Sequence, residues 1–230
     1  MASLPEGFRA VVLGASGGIG AALCARLRHD PRAGEVIGLS RSTDGLDITD
    51  EASVARHAAA LGPSPVHLLL CATGILHFEG HPPEKAMKQI DPANMLAIFN
   101  ANAVGPALVA KHFLPLLAKR ERAVAAFLSA RVGSIGDNRL GGWVSYRASK
   151  AALNQIIRTA SIELARSHPE AVLAAMHPGT VRTGLSASFS QGHRTTGPDE
   201  AASAILSALD GMPPGGTGRF LAYDGSEVPW

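Results

Sequence analysis

Tyr146 and Lys150 stand four residues apart in the run Ser145-Tyr146-Arg147-Ala148-Ser149-Lys150. On a helix, residues at that spacing share a face, so the phenol and the ammonium project into one site. A free tyrosine has a pKa near 10 and is a poor acid at neutral pH. An ammonium within a few Å favours the phenolate and lowers that pKa, so the hydroxyl can give or take a proton. The second chemical feature is the turn Gly14-Ala15-Ser16-Gly17-Gly18-Ile19-Gly20, between a short apolar run and a helical pattern. Glycines there let the backbone bend sharply and a pyrophosphate approach, while the helix N-terminus offers free N–H donors. The spacing Gly14-x-x-x-Gly18-x-Gly20 differs from G-x-G-x-x-G, and no Lys-Ser/Thr follows to make a P-loop. A proton-transferring tyrosine beside a dinucleotide cradle reads as an NAD(P)-dependent oxidoreductase.

These groups need a scaffold, and the pattern supplies one. Strands are expected at 10–13, 35–39, 66–71, 123–128, 172–176 and 219–223. Helices are expected at 21–29, 51–61, 94–119, 146–167 and 198–209. Strands alternating with helices throughout give one α/β domain over 1–230, a Rossmann-type doubly wound parallel sheet flanked by helices. The run 66–71 is apolar without interruption, as a central parallel strand requires. Its end, Cys71-Ala72-Thr73-Gly74, is small enough for a cofactor to lie against.

The second strand ends in Ser40-Arg41 rather than in the carboxylate that would hold a ribose 2′-hydroxyl. Arg41 offers a planar cation for a 2′-phosphate, so NADP(H) is favoured over NAD(H). Too few residues separate Arg41 from Asp47 for a parallel crossover, so the wall of the adenosine pocket should be thin. Thr49 or Asp50 is expected to cap the next helix. Asn100 and Asn102 lie inside a helical pattern that disfavours asparagine, so one of them has a buried task. Pro106 and Pro115 should bend that helix. Residues 75–93, with His77 and His81, read as a surface loop without a metal site. Residues 184–197 are small and polar and read as a substrate lid. The broad apolar face of the 146–167 helix is expected to pack on the sheet and on a partner subunit.

The bulk composition excludes several classes. The chain has 230 residues, a formal charge of +2 and 46% hydrophobic residues. The sequence pI is about 8.7, and the cations are scattered rather than in blocks. Neither nucleic acid nor a membrane surface is an expected partner. No apolar run is read as long enough to span a bilayer. No signal-peptide pattern opens the chain, and Cys24 and Cys71 read as buried, reduced thiols, so a cytoplasmic location is expected.

With the segments placed, the chain resembles the short-chain dehydrogenase/reductase family over nearly its whole length. The likeness rests on Gly14-x-x-x-Gly18-Ile19-Gly20, Leu46-Asp47-Ile48, Asn102, Tyr146-x-x-x-Lys150 and Pro178-Gly179-x-Val181-x-Thr183. The loop Gly133-Ser134-Ile135-Gly136-Asp137-Asn138, Gly141-Gly142-Trp143 and the ending from Tyr223-Asp224-Gly225 to Pro229-Trp230 resemble its C-factor and sniffer-type carbonyl reductase branch. The resemblance implies that Tyr146 protonates a small carbonyl substrate, or deprotonates the alcohol, as hydride moves. Lys150 would hold the nicotinamide ribose and tune Tyr146, and Asn102 would position a relay water. Gly14, Ser16, Gly18, Ile19, Gly20, Ser40, Arg41, Asp47, Ile48, Ala72, Gly74, Pro178, Gly179, Val181 and Thr183 would complete the cofactor site. A homodimer or homotetramer is also implied.

Two departures bear on activity. The family's Asn-Asn-Ala-Gly is here Cys71-Ala72-Thr73-Gly74, and the serine that usually orients the substrate carbonyl is Ala130. Ser134 or Ser129 would have to replace it, with Ser134 preferred. The alternative to a reductase is an NAD(P)-binding signalling protein of C-factor type with little or no turnover.

Overall fold

The computed structural model describes residues 1–184 and 195–230. In chain order the elements are β1 (Phe8–Leu13), α1 (Gly18–Arg28), β2 (Ala33–Leu39), α2 (Arg41–Asp44) and α3 (Glu51–Ala60). Then come β3 (Leu68–Cys71), α4 (Pro92–Phe99), α5 (Gly105–Phe113), β4 (Ala123–Leu128) and α6 (Val144–Leu164). The last are β5 (Ala171–His177), α7 (Pro198–Asp210) and β6 (Arg219–Ala222). Among the described residues, six strands pair in parallel in the order β2-β1-β3-β4-β5-β6.

The unbroken apolar runs are central because they are buried on both faces. On one face Val11, Leu69, Phe127 and Leu173 pack with Val54, Val109, Leu153 and Ile157 of α3, α5 and α6. On the other, Val12, Leu70, Val124 and Val172 meet Leu23, Leu27, Ile205 and Leu209 of α1 and α7. The strand order reverses between β1 and β3, and in such sheets ligands bind in the crevice outside the strand ends at that point. The glycine turn after β1 and the segment 72–74 after β3 therefore face each other there.

Local chemistry explains the boundaries. Asp50, rather than Thr49, caps α3 by accepting from the Ala52 amide at 3.0 Å. Only the one-turn α2 separates β2 from Asp47, so no crossover unit lies there. Pro198 begins α7 with Asp199 and Glu200 in its first turn, where acidic side chains complement the helix dipole.

The helix expected over 94–119 differs most from its expectation. It begins at Pro92, and a π turn over Asn100–Val104 divides α4 from α5. The Gly105 amide donates five residues back, to the Asn100 carbonyl. Pro106 has no N–H to give to the carbonyl four residues earlier, that of Asn102, so regular α-helix cannot continue through this point. By length and composition Pro92–Leu116 is apolar enough to cross a membrane, with mean hydropathy 1.3 over its best window, contrary to the sequence expectation. In the fold this stretch contacts α3, α6 and β3.

Most of the lid expected over 184–197 lies outside the described residues. At its base Val181 bridges to Thr196, with the Arg182 amide donating to the Thr196 carbonyl at 3.0 Å.

Candidate active site

At the turn after β1, Gly14 has φ +85°, and a side chain there would meet the Ala72 carbonyl oxygen at 2.7 Å. A side chain on Gly18 would strike the Thr183 methyl at 2.8 Å. Gly20 closes the turn against the Gly14 backbone. The three glycines thus let the turn, the β3 end and the 178–183 segment converge. Gly17 caps α1 without a side chain, and no acidic residue occupies the first turn. The donors of that first turn are left for an anion, and the exposed Ser16 stands beside them. These residues fit the pyrophosphate of a dinucleotide.

Along the adenosine side, Ser40 is buried, and its hydroxyl accepts from the Thr43 amide as the cap of α2. Arg41 is exposed beside it. Asp44, which the sequence reading passed over, accepts from the Ser40 amide at 2.8 Å. The Asp47 carboxylate is taken up by Thr49, whose amide and hydroxyl hold it below the usual carboxylate range. Ile48 lies against Gly105, where a Cβ would come within 2.9 Å of it.

The catalytic candidates meet under α6. Lys150 is 3% exposed, and its Nζ donates to the Leu128 carbonyl at 2.9 Å. It lies 5.9 Å from the centre of the Tyr146 ring. A Cβ on Gly74 would sit 3.3 Å from Lys150 Nζ and 3.1 Å from Asn102 Oδ1, so the three converge. Asn102 is fully buried; it accepts from the Ile75 amide, donates to the Ile75 carbonyl and donates to Ser149 Oγ. The π turn delivers its side chain to this position. Asn100 is exposed, which assigns the buried task to Asn102.

Burial governs the titration here. It pushes the Tyr146 phenol up to about 12 and the Lys150 ammonium down to about 8. The expected lowering of the Tyr146 pKa is therefore absent: loss of water around the phenol outweighs an ammonium already engaged by Leu128.

Tyr146 opens into a cavity of about 560 Å³. Ile19 of the glycine turn and Pro178, Gly179, Val181 and Thr183 line it, together with Leu76, Arg131, Leu140, Trp143 and His177. The Trp143 ring stands edge-on to Tyr146 with centres 6.3 Å apart. Ser129 and Ala130 also line this space. The Ser129 hydroxyl, however, donates to Asn154 Oδ1 at 2.6 Å. Ser134, the serine preferred from the sequence, is buried away from the lining, and its hydroxyl accepts from the Asp137 amide. The short 3₁₀ turn Arg131–Gly133 and close packing of Gly133 on Lys150 hold that segment against α6.

Glu84 and Asn154 escaped the sequence reading because their partners are distant in the chain. Glu84 is 3% exposed and accepts from the Ser145 amide at 3.2 Å and from the Ser145 hydroxyl. Its own carbonyl accepts from the Trp143 amide. Trp143 enters α6 with φ +53° and gives the helix no side-chain cap, so Glu84 performs that task from across the fold.

Comparison with known proteins bears on the family and the fold. The family model described as short chain dehydrogenase matches residues 9–194. C-signal of Myxococcus xanthus is 36% identical over 152 residues, 63% of this chain and 84% of that protein. The 1-hydroxy-2-glutathionyl-2-methyl-3-butene dehydrogenase of Rhodococcus sp. (strain AD45) is 32% identical over 186 residues, 81% of this chain and 79% of that one. Among solved structures, NADPH-bound carbonyl reductase from chicken fatty liver superposes with TM-score 0.84 at 24% identity, covering 98% of this chain and 95% of that one. Carbonyl reductase Sniffer of D. melanogaster superposes with TM-score 0.81 at 20% identity, covering 98% and 100%. With its motifs, its parallel sheet and this match over most of its length, the chain belongs to the short-chain dehydrogenase family.

Proposed function

We propose that this oxidoreductase uses NADP(H) to reduce a small carbonyl compound, or to oxidise the matching alcohol, with Tyr146 as the acid–base group. The observation that carries the reading is the convergence of Tyr146, Lys150, Asn102 and Gly74 beside a cavity that continues to the glycine turn. A bound nicotinamide would supply or accept the hydride. The chain's own part is proton chemistry. Tyr146, kept protonated by burial, gives its proton to the carbonyl oxygen as negative charge develops there. Lys150, when charged, stabilises the phenolate left behind. Asn102 fixes the Gly74–Ile75 backbone against Lys150. Gly14, Gly18 and Gly20 would leave room for the pyrophosphate, and Pro178, Gly179, Val181 and Thr183 would hold the nicotinamide end. The NADPH named in the chicken carbonyl reductase structure and the exposed Arg41 support NADP(H) as the cofactor.

The test is NADPH oxidation by the purified protein over a broad carbonyl panel, with Tyr146→Phe as control. Turnover that falls by roughly 10²–10⁴ in the variant is expected. Arg41→Ala should weaken NADPH binding toward the NADH level and leave NADH binding unchanged; equal weakening of both would remove the 2′-phosphate role.

One observation favours a second reading, a nucleotide-binding signalling protein with little turnover. Ala130 has no hydroxyl, Ser134 lies off the cavity, and Ser129 has committed its proton to Asn154. In that case wild type binds NADPH without consuming it, and Tyr146→Phe keeps the biological effect.

A further inference from the structure

His177 lines the cavity that Tyr146 also lines. Its Nδ1 is shut off from solvent with no hydrogen-bond partner, whereas Nε2 is not sealed off and is bonded to none of the described residues. A neutral imidazole carries one N–H and one lone pair, and buried polar groups of this kind are normally satisfied. Burial, helped by the nearby Arg131 charge, drives its pKa down to about 4, so the ring is neutral at working pH.

The sheet fixes where this ring lies. His177 is the last residue of β5 and pairs with Ala222 of β6. The Ser129 amide donates to the Met176 carbonyl, which sets His177 beside Ser129 at the strand ends. Alternation along β5 puts His177 on the face of Leu173 and Ala175, the face that α6 covers. Lys150, by contrast, anchors at the end of β4 and near Gly74 after β3. His177 thus stands one strand, about 4.8 Å, beyond the Lys150 anchor.

We propose that His177 is a specificity-determining residue whose Nε2 hydrogen-bonds a second oxygen of the substrate, a few bonds from the carbonyl oxygen that Tyr146 serves. The preferred substrates are carbonyl compounds bearing a neighbouring oxygen acceptor, such as dicarbonyls or hydroxyketones. The proposal rests on the reductase reading and adds the substrate class to it.

The test compares diacetyl with butanone, which share a carbon chain and differ by one oxygen. NADPH-linked reduction of both is followed for wild type, His177→Phe and His177→Gln, with NADPH affinity measured by fluorescence for each. Wild type should favour diacetyl. His177→Phe should raise KM for diacetyl by roughly 3–10-fold, the worth of one neutral hydrogen bond, and leave butanone unchanged. His177→Gln, whose amide keeps a donor and an acceptor, should recover most of the loss. Equal KM for diacetyl in wild type and both variants overturns the subsite. So does a parallel loss of NADPH affinity, which would place the ring on the cofactor. Absence of turnover by wild type on the whole carbonyl panel is a different result, and overturns the reductase reading together with the subsite.

Discussion

Tyr146 and Lys150 sit in water-poor surroundings that move their proton affinities in opposite directions, to about 12 and about 8. The sign of the consequence follows from roles. Reduction needs the phenol protonated, a condition met at every pH below about 12, and needs Lys150 charged, a condition lost as pH rises through about 8. With NADPH limiting, where kcat/KM reports groups of the free protein, reduction should be level below about pH 8 and fall tenfold per unit above it. Lys150→Met should be slow at every pH and lack the step. A wild-type profile with its only step near pH 6 would assign the control to another group. The same burial explains why spacing alone misjudges tyrosine acidity: an ammonium four residues away is a favourable neighbour, but desolvation of the phenol opposes it and wins.

At the scale of elements, the site depends on how α6 starts. A helix of 21 residues opens here on Trp143 in the left-handed region, with no cap of its own. Glu84 supplies the acceptors from the loop before α4, and thereby ties that loop to the turn carrying Tyr146. Glu84→Ala leaves the Ser145 amide and hydroxyl without a partner in a buried place. It should cost about 2–4 kcal/mol. For a chain of this size that is a fall in Tm of roughly 5–15 °C, measurable by calorimetry. Glu84→Gln keeps one acceptor and should lose less than half as much; equal losses in the two would mean that the charge, rather than the cap, matters. The π turn before α5 is a comparable device. Pro106 withholds one donor, the helix loosens by one residue, and Asn102 reaches the Lys150 cluster.

At the scale of the whole molecule, one face lies away from the active-site cavity. A groove of about 830 Å³ runs between α5 and α6, lined by Ala107, Ala110, Leu114, Ile156, Ala160 and Leu164. Ala107, Ala110 and Ala160 are small enough to let another helix pair approach closely. We expect this face to join two copies. Sedimentation at micromolar concentration should give at least twice the 23.8 kDa chain mass. Ala160→Glu should lower it to that of one chain without changing the helical signal. A wild-type monomer at that concentration would end the expectation.

The order of elements, the glycine turn, the Tyr146–Lys150 face and Asn102 were legible in the chain alone, because each is a local pattern. Alternation, helical spacing and glycine placement are written within a few residues of one another. The strand at 123–128 was legible for the same reason, and the one expected over 219–223 ends a residue earlier, at Ala222. The opposed pKa shifts of Tyr146 and Lys150, the Glu84 cap, the commitment of Ser129 to Asn154 and the unbonded ring of His177 were decided only by tertiary structure. Each depends on groups that the chain separates by tens of residues, 61 between Glu84 and Ser145 and 25 between Ser129 and Asn154. Burial and hydrogen-bond partnership at such distances follow from how helices seat on the sheet, and no local pattern carries that information.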